Sequence, residues 1–138
     1  MSHAETVESY LHRSEFPYEQ IDPETWILLL PNARKSRVIL RVDAPIILIT
    51  TAILDLHEDT QDRESLFRTL LELNNELMHG SYALQDQRVV LSGAQLLTNF
   101  DQHELLAILD DMSMAIDTHE HRLAQWKTVT HASEESRG

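Results

Sequence analysis

The sequence predicts an α+β domain in which helices pack on an antiparallel sheet of five or six strands. Residues 62–79 and 101–126 repeat apolar side chains every three or four positions, which is typical of amphipathic helices. Short runs rich in β-branched residues lie between turns that contain Pro, Asn, Asp or Gly, which is typical of strands. The predicted order is helix, three strands, helix, two strands, helix.

The chain begins with a short predicted helix. Ser2 and Glu5 have the three-residue spacing of a capping box, in which each side chain bonds a backbone N–H of the first turn. The helix is predicted to end before Pro17, and the segment from Tyr18 to Ile21 is a candidate for one further, brief strand.

Three segments, Thr25–Leu30, Ser36–Asp43 and Ile46–Leu54, are predicted to be strands. The first and third hold more apolar side chains than a strand with one solvated face can bury. We therefore expect helices on one face of the sheet and a second subunit or a bound segment on the other. The candidate contacts in these strands are Trp26, Leu28, Ile47 and Ile49.

The central helix is predicted to begin with Asp62 as its N-cap and to end at His79, because Gly80 suits the left-handed position after a helix. Two short β-runs follow, Ser81–Gln85 and Arg88–Ala94, and they predict a hairpin. The apolar stripe of the helix consists of Leu66, Phe67, Leu70, Leu71, Leu73, Leu77 and Met78.

The last helix is marked by a capping box of Asp101 and Glu104 and by a hydrophobic staple of Phe100 and Leu105. Over about 25 residues and roughly 37 Å it is long enough to cover the sheet and still present surface to a second subunit. Residues 1–126 are thus predicted to form one domain, and residues 127–138 a mobile tail. The candidate dimer or partner contacts of this helix are Leu105, Leu109, Met112, Ile116, Leu123 and Trp126, with His119 on or beside the same seam.

Composition narrows the functional classes. The chain has no cysteine, which excludes disulfides, thiolate catalysis and Cys-based metal sites and fits a reducing cytoplasm. No segment has the pattern of a signal peptide or a membrane span, so we predict a cytoplasmic protein. A formal charge of −12 opposes direct nucleic-acid binding and favours basic partners.

Four of the 11 basic residues fall within eight positions. They could be ordinary charges on a hairpin or a functional patch, and the sequence favours neither. A nucleic-acid groove would need more positive charge and interleaved aromatic residues. The candidate charged patch consists of Arg34, Lys35, Arg37 and Arg41.

Candidate metal and catalytic groups are few. His119 and His121 point about 200° apart on a helix and cannot share an ion. Asp117 and His121 lie on one face, but a third ligand would have to come from elsewhere, so we predict a solvated polar face. No phosphate loop or Ser-His-Asp motif is present, and no cofactor is expected.

Two smaller features have a structural interpretation. Ser92-Gly93 is predicted to be a bulge or a close approach of backbone. Asn74 and Asn75 are interpreted as residues that help to end the central helix. The alternative is that one of them is buried and bonds the start of a strand.

The element order, together with LLELNNELMHGSYAL, RVVLSGAQL and FDQHELLAILDDMSMAIDTHEHRL, resembles the YbjN family. The fold of that family is similar to that of type III secretion chaperones of the Tir-chaperone type. The resemblance covers about Ala4 to Ala124. It implies a small, acidic, dimeric bacterial protein that is not an enzyme and binds other proteins.

The sequence therefore predicts a chaperone- or adaptor-like homodimer that binds a partner protein through apolar surface and a sheet edge. The alternative is a regulator that holds a basic DNA- or RNA-binding protein against its acidic face and so acts on nucleic acid indirectly. An enzyme with an unrecognised metal or acid/base site is a third, weaker hypothesis.

Overall fold

The computed structural model describes the backbone of residues 2–137 and the side chains of residues 2–127. The helices are α1 (His3–Arg13), α2 (Arg63–Asn74) and α3 (Gln102–Arg137). The strands are β1 (Tyr18–Asp22), β2 (Thr25–Leu29), β3 (Arg37–Asp43), β4 (Ile46–Asp55), β5 (Ser81–Gln85) and β6 (Arg88–Leu96).

In the part of the chain described, the strands form one antiparallel sheet in the order β1-β2-β3-β4-β6-β5. The predicted α+β architecture is confirmed, with one correction. The candidate strand at Tyr18 is a full edge strand, so that four strands rather than three precede α2.

The predicted side-chain capping is confirmed for two of the three helices. Ser2 and Glu5 form both bonds of the capping box, and the Asp101 carboxylate accepts a hydrogen bond from the Glu104 N–H at 2.8 Å. The helix α2 does begin directly after Asp62, as predicted, but Asp62 does not cap it: its φ of 57° is left-handed and its side chain makes no capping bond. A side-chain cap needs an extended N-cap residue, whose side chain then reaches the first-turn N–H groups.

The end of α2 also differs from the prediction. The helix stops at Asn74, five residues before His79, and Met78 is outside it and 81% exposed. Leu71, predicted to widen the buried stripe, is 69% exposed as well. The buried face of α2 is therefore only Leu66, Leu70 and Leu73.

Gly80 has the predicted positive φ, 76°, but it does not end a helix, because α2 stops at Asn74. A Cβ on Gly80 would lie 3.0 Å from the Ser92 carbonyl oxygen, and a Cβ on Gly93 would lie 3.2 Å from the Gly80 Cα. The close approach of backbone predicted at Ser92-Gly93 is thus confirmed, and its partner is Gly80.

All three helices pack on one face of the sheet and form a single core with it. In β3 the alternation is complete, because Val38, Leu40 and Val42 are buried while the residues between them are exposed. The sheet therefore has a covered face and a face that no described element covers.

The ten apolar residues predicted to contact a partner lie in this core, so that prediction needs correction. None is more than 7% exposed in the single chain, because the helices themselves cover that face of the sheet. A partner could reach these side chains only by unpacking the domain. They are Trp26, Leu28, Ile47, Ile49, Leu105, Leu109, Met112, Ile116, Leu123 and Trp126.

The helix α3 continues past Trp126, where the sequence predicted its end. The predicted mobile tail, residues 127–138, lies almost entirely outside the residues whose side chains are described. Among the described residues, no helix is both long and apolar enough to cross a membrane.

Candidate protein-interaction surface

Large apolar side chains that stay exposed fall into two groups. Leu29, Ile39 and Leu96 lie on the uncovered face of the sheet, between 38% and 63% exposed, with Ile21 beside them at the bulge of β1. Leu71, Met78 and Leu84 belong to α2, the following loop and β5. Met114 on α3 stands apart from both groups.

We call the uncovered face the open sheet face. The strand register places Ile27, Ile39 and Thr50 side by side on β2, β3 and β4, and the Thr50 and Ser92 hydroxyls bond at 3.0 Å. At the centre of a face that no described helix covers, apolar side chains on β2 and β3 therefore lie beside a pair of hydroxyls on β4 and β6. Members of the open sheet face include Glu19, Asp22, Thr25, Ile27, Leu29, Arg37, Ile39, Arg41, Asp43, Ile46, Leu48, Thr50, Ala52, Ser81, Ala83, Val90, Ser92, Ala94 and Leu96.

The structure divides the predicted charged patch. Arg37 and Arg41 stand on the open sheet face on either side of Ile39. Arg34 instead donates to the Ile53 carbonyl at 3.3 Å, and Lys35 lies in the turn with a φ of 50°. Only two of the four residues therefore belong to a common surface.

The group on α2 and β5, which we call the α2–β5 patch, includes a shallow groove on the outer face of α2. Phe67 and Leu71 supply its apolar floor, and Glu64 and Arg68 lie along its side, 3.9 Å apart. Sequence reasoning assigned Phe67 and Leu71 to the buried stripe and so missed this surface.

The two sheet edges differ in accessibility. At β5 the Asn74 side chain accepts a hydrogen bond from the Tyr82 N–H at 2.7 Å and donates to the Tyr82 carbonyl at 3.3 Å. Both backbone groups of Tyr82 at that edge are thereby occupied. Of the two interpretations of Asn74, the structure supports the one in which its side chain bonds the start of a strand. The edge of β1 is exposed from Glu19 to Asp22.

A polar cluster joins the loop after α2 to the long helix. The buried His119 bonds the Tyr82 hydroxyl through Nδ1 at 2.8 Å, and its Nε2 lies 3.4 Å from Glu76. His79 pairs with Asp111 at 2.9 Å. Burial raises the pKa of Tyr82, so the phenol stays neutral as a hydrogen-bonding group. These groups hold the loop in place.

The predicted pair of Asp117 and His121 does not form a metal site. Asp117 accepts a hydrogen bond from the Ala33 N–H at 3.3 Å and so ties the β2–β3 turn to α3. In the described part of the chain, no group of three or more His, Cys, Asp or Glu residues could hold a metal ion.

This fold, with three helices on one face of a six-stranded sheet, matches a known family. The CesT_Tir_1 family model, which describes type III secretion chaperones, matches residues 1–128. The chain belongs to the CesT_Tir_1 family. No curated protein sequence matches the chain.

Solved structures agree with this assignment at the level of the fold. The heterodimeric ExoU–SpcU complex of the type III secretion system of Pseudomonas aeruginosa matches with 17% identity and a TM-score of 0.53, over 67% of this chain and 78% of that one. The HopA1–SchA chaperone–effector complex matches with 12% identity and a TM-score of 0.56, over 91% of this chain and 89% of the matched chain.

A third structure is that of YbjN from E. coli, a proposed transcription regulator. It matches with 12% identity and a TM-score of 0.62, over 86% of this chain and 91% of YbjN. The resemblance to YbjN and to secretion chaperones inferred from the sequence is confirmed.

Proposed function

We propose that this CesT_Tir_1 family chain is a chaperone- or adaptor-like protein of the cytoplasm that binds a partner polypeptide and catalyses no reaction. The partner docks on the open sheet face and on the free edge of β1. The observation that carries this proposal is the exposure of Leu29, Ile39 and Leu96 on one uncovered face of a chain with a formal charge of −12.

Burial of this face supplies the driving force for binding. An apolar side chain that moves out of water contributes about 25 cal/mol per Å² of area buried. The β1 edge adds backbone donors and acceptors, which an extended partner segment can pair as an additional strand. Two of the similar folds occur in solved complexes, one titled a heterodimeric complex and the other a chaperone–effector complex, which supports a protein partner.

We propose further that the protein is a homodimer joined at the α2–β5 patch. In a two-fold interface each residue of the patch faces the same patch on the second copy. Leu71 and Phe67 would supply the apolar centre of that contact, and Glu64 of one copy would lie near Arg68 of the other. This arrangement leaves the open sheet face of each copy available to a partner.

Affinity capture from the source organism tests the partner-binding proposal. Wild-type bait and an Ile39→Asp variant are compared, with Met114→Asp as a matched control, because Met114 is also a large apolar side chain, 69% exposed against 44% for Ile39, but lies on α3. We expect proteins retained by the wild type and the control to be lost from Ile39→Asp. The same set of proteins on all three baits would contradict the proposal, provided that circular dichroism shows Ile39→Asp to be folded.

A second candidate function is favoured by the charge of −12 and by the similarity to YbjN. In this alternative the chain holds a basic DNA- or RNA-binding protein and alters nucleic-acid metabolism indirectly. The same capture experiment separates the two, because the alternative requires a basic nucleic-acid-binding protein that Ile39→Asp retains and that is released by moderate salt.

A further inference from the structure

We infer that the open sheet face binds a second copy of this chain, face to face, when no partner polypeptide occupies it. The two copies are related by a two-fold axis that runs parallel to β2, so that β1 of one copy lies over β3 of the other. The inference rests on the proposed function, because it names what covers the docking surface in the absence of a partner.

The charges at this end of the open sheet face are separated by strand. The exposed acidic residues Glu19 and Asp22 lie on β1. The exposed basic residues Arg37 and Arg41 lie on β3, with Asp43 at the end of that strand. The strand β2 lies between β1 and β3 and adds only uncharged residues to this face. In the described part of the chain, none of these five side chains forms an ion pair.

The strand register makes this separation self-complementary. In one row across the sheet, Asp22 pairs with Thr25, and Thr25 pairs with Arg41. Rotation by 180° about an axis parallel to β2 exchanges the positions of β1 and β3 and keeps each row in place. Asp22 of each copy would therefore lie over Arg41 of the other, across about 10 Å between the two sheets. Asp22 bonds the Glu24 N–H through Oδ1, so its Oδ2 is left for the guanidinium.

The neighbouring row supplies the apolar centre of the contact. It consists of Glu19, Ile27 and Ile39, so that Ile27 of one copy would lie over Ile27 of the other. Glu19 would lie over Ile39, which is two residues from Arg37 along β3. This diagonal is within reach of long side chains, so Glu19 and Arg37 form a second pair between the copies.

The contact should be weak and reversible. Three strands overlap, over roughly 15 Å by 20 Å on each copy, well below the area of about 800 Å² per partner in a stable interface. The formal charge of −12 on each copy also opposes association. Physiological salt screens that repulsion beyond about 8 Å and leaves the pairs in direct contact. We expect association only at about 0.1 mM or above, so that a partner polypeptide can displace the second copy.

Charge exchange tests the inference by sedimentation equilibrium of full-length chains at physiological salt. All chains carry Leu71→Asp, which removes the proposed contact at the α2–β5 patch. Asp22→Arg and Arg41→Asp are measured separately and as an equimolar mixture. Glu58→Arg is the matched control for Asp22→Arg, because it changes the net charge equally but lies exposed in the loop after β4.

Asp22→Arg or Arg41→Asp alone places two pairs of like charges in the contact, so each should associate less than the parent chain. In the mixture every introduced charge lies over an opposite charge. The mixture should therefore associate about tenfold more tightly than either variant alone. Glu58→Arg should associate as the parent chain does. A mixture that associates no more tightly than its components would overturn the inference, because it would show that the two residues do not pair between copies.

Glu19→Arg and Arg37→Asp repeat the test at the second pair. They replace the first set if circular dichroism shows that Asp22→Arg is unfolded, since Glu19 makes no bond in the turn after β1. The same expectations apply, with tighter association in the mixture than in either variant. Equal association of the mixture and its components at this pair would also overturn the inference.

Failure of this inference is distinguishable from failure of the proposed function. If neither mixture associates more tightly than its components while Ile39→Asp still loses the captured proteins, the face binds a partner but not a second copy. If a mixture does associate while Ile39→Asp captures the same proteins as the wild type, the inference holds for the contact and the proposed function fails.

Discussion

At the scale of single residues, Asn74 connects two elements of the fold, which its sequence context alone does not indicate. Its amide bonds both backbone groups of Tyr82, and so it ends α2 and covers the edge of β5 at the same time. The sequence showed that an Asn occurs there. It offered a bond to a strand only as the alternative for Asn74 or Asn75, because the bond joins a helix to a strand eight residues further on.

Replacement of Asn74 by alanine should lower the free energy of unfolding by about 1–3 kcal/mol, because it leaves a Tyr82 N–H without its partner. Urea denaturation measures the change. Asn75→Ala is the matched control, since Asn75 is the next residue and is exposed. Equal losses in the two variants would show that the amide bonds to Tyr82 contribute nothing specific.

Because of Tyr82, the free energy of unfolding should fall as the pH rises into the alkaline range. Burial, the largest cause, raises the pKa of its hydroxyl in the folded protein, so the fold favours the neutral form. The corresponding stability is fully present below the unfolded pKa of about 10 and is lost as the pH rises above it. Tyr82→Phe should therefore lose less unfolding free energy than the wild type between about pH 9 and 11.

Tyr18→Phe is the control for that experiment, because it removes a hydroxyl from the first residue of β1 and leaves Tyr82 in place. Denaturation midpoints measured over the same pH range should fall for the control as they do for the wild type. A wild-type curve that coincides with the Tyr82→Phe curve at every pH would contradict this account.

At the scale of elements, the sequence predicted features that depend on residues close together in the chain, and it missed features that depend on contacts between separate elements. Strand alternation and the Ser2 and Asp101 caps are local, and the structure confirms them. The end of α2 was missed, because the apolar period continues through Leu77 and Met78. Asn74, the last residue of α2, bonds Tyr82 of β5, and no local pattern encodes that contact.

The candidate interaction site shows the same limit. Sequence reasoning identified strands that needed covering on both faces, and the structure shows one covered face and one open face. Trp26 and Ile39, both on central strands, were not distinguishable by type. Which face of the sheet the helices cover depends on how the chain connects the strands to the helices. A shift of one residue in strand register would exchange the buried and the exposed side chains.

The contact between the loop after α2 and β6 should be sensitive to one methyl group. Gly80→Ala should lose about 1–3 kcal/mol of unfolding free energy, because the added Cβ would lie 3.0 Å from the Ser92 oxygen at a φ of 76°. Gly93→Ala shares the tight contact without the positive φ and should lose less. A Gly80→Ala variant as stable as the wild type in urea would contradict this explanation.

At the scale of the whole molecule, the two apolar surfaces have separate proposed partners. The helices seal one face of the sheet, the open sheet face is proposed for a client and the α2–β5 patch for a second copy. The long seam of α3, which the sequence offered as a dimer contact, is buried in the core and cannot serve either purpose.

Light scattering should give about twice the 15.9 kDa mass of one chain for the wild type at micromolar concentration. Leu71→Asp should reduce the mass to that of one chain, because it places a charge at the centre of the proposed interface. Met114→Asp is the control and should remain dimeric. A wild-type mass of one chain would refute the homodimer, and a dimeric Leu71→Asp would refute its location.

Site-specific photo-cross-linking in cells tests the central claim, that the open sheet face is where a partner polypeptide binds. A photoreactive amino acid replaces Ile39 on the open sheet face, or Met114 on α3 as the control. We predict a covalent adduct with another protein from position 39 and none from position 114. Adducts of equal yield at both positions, or none with protein at position 39, would contradict the account.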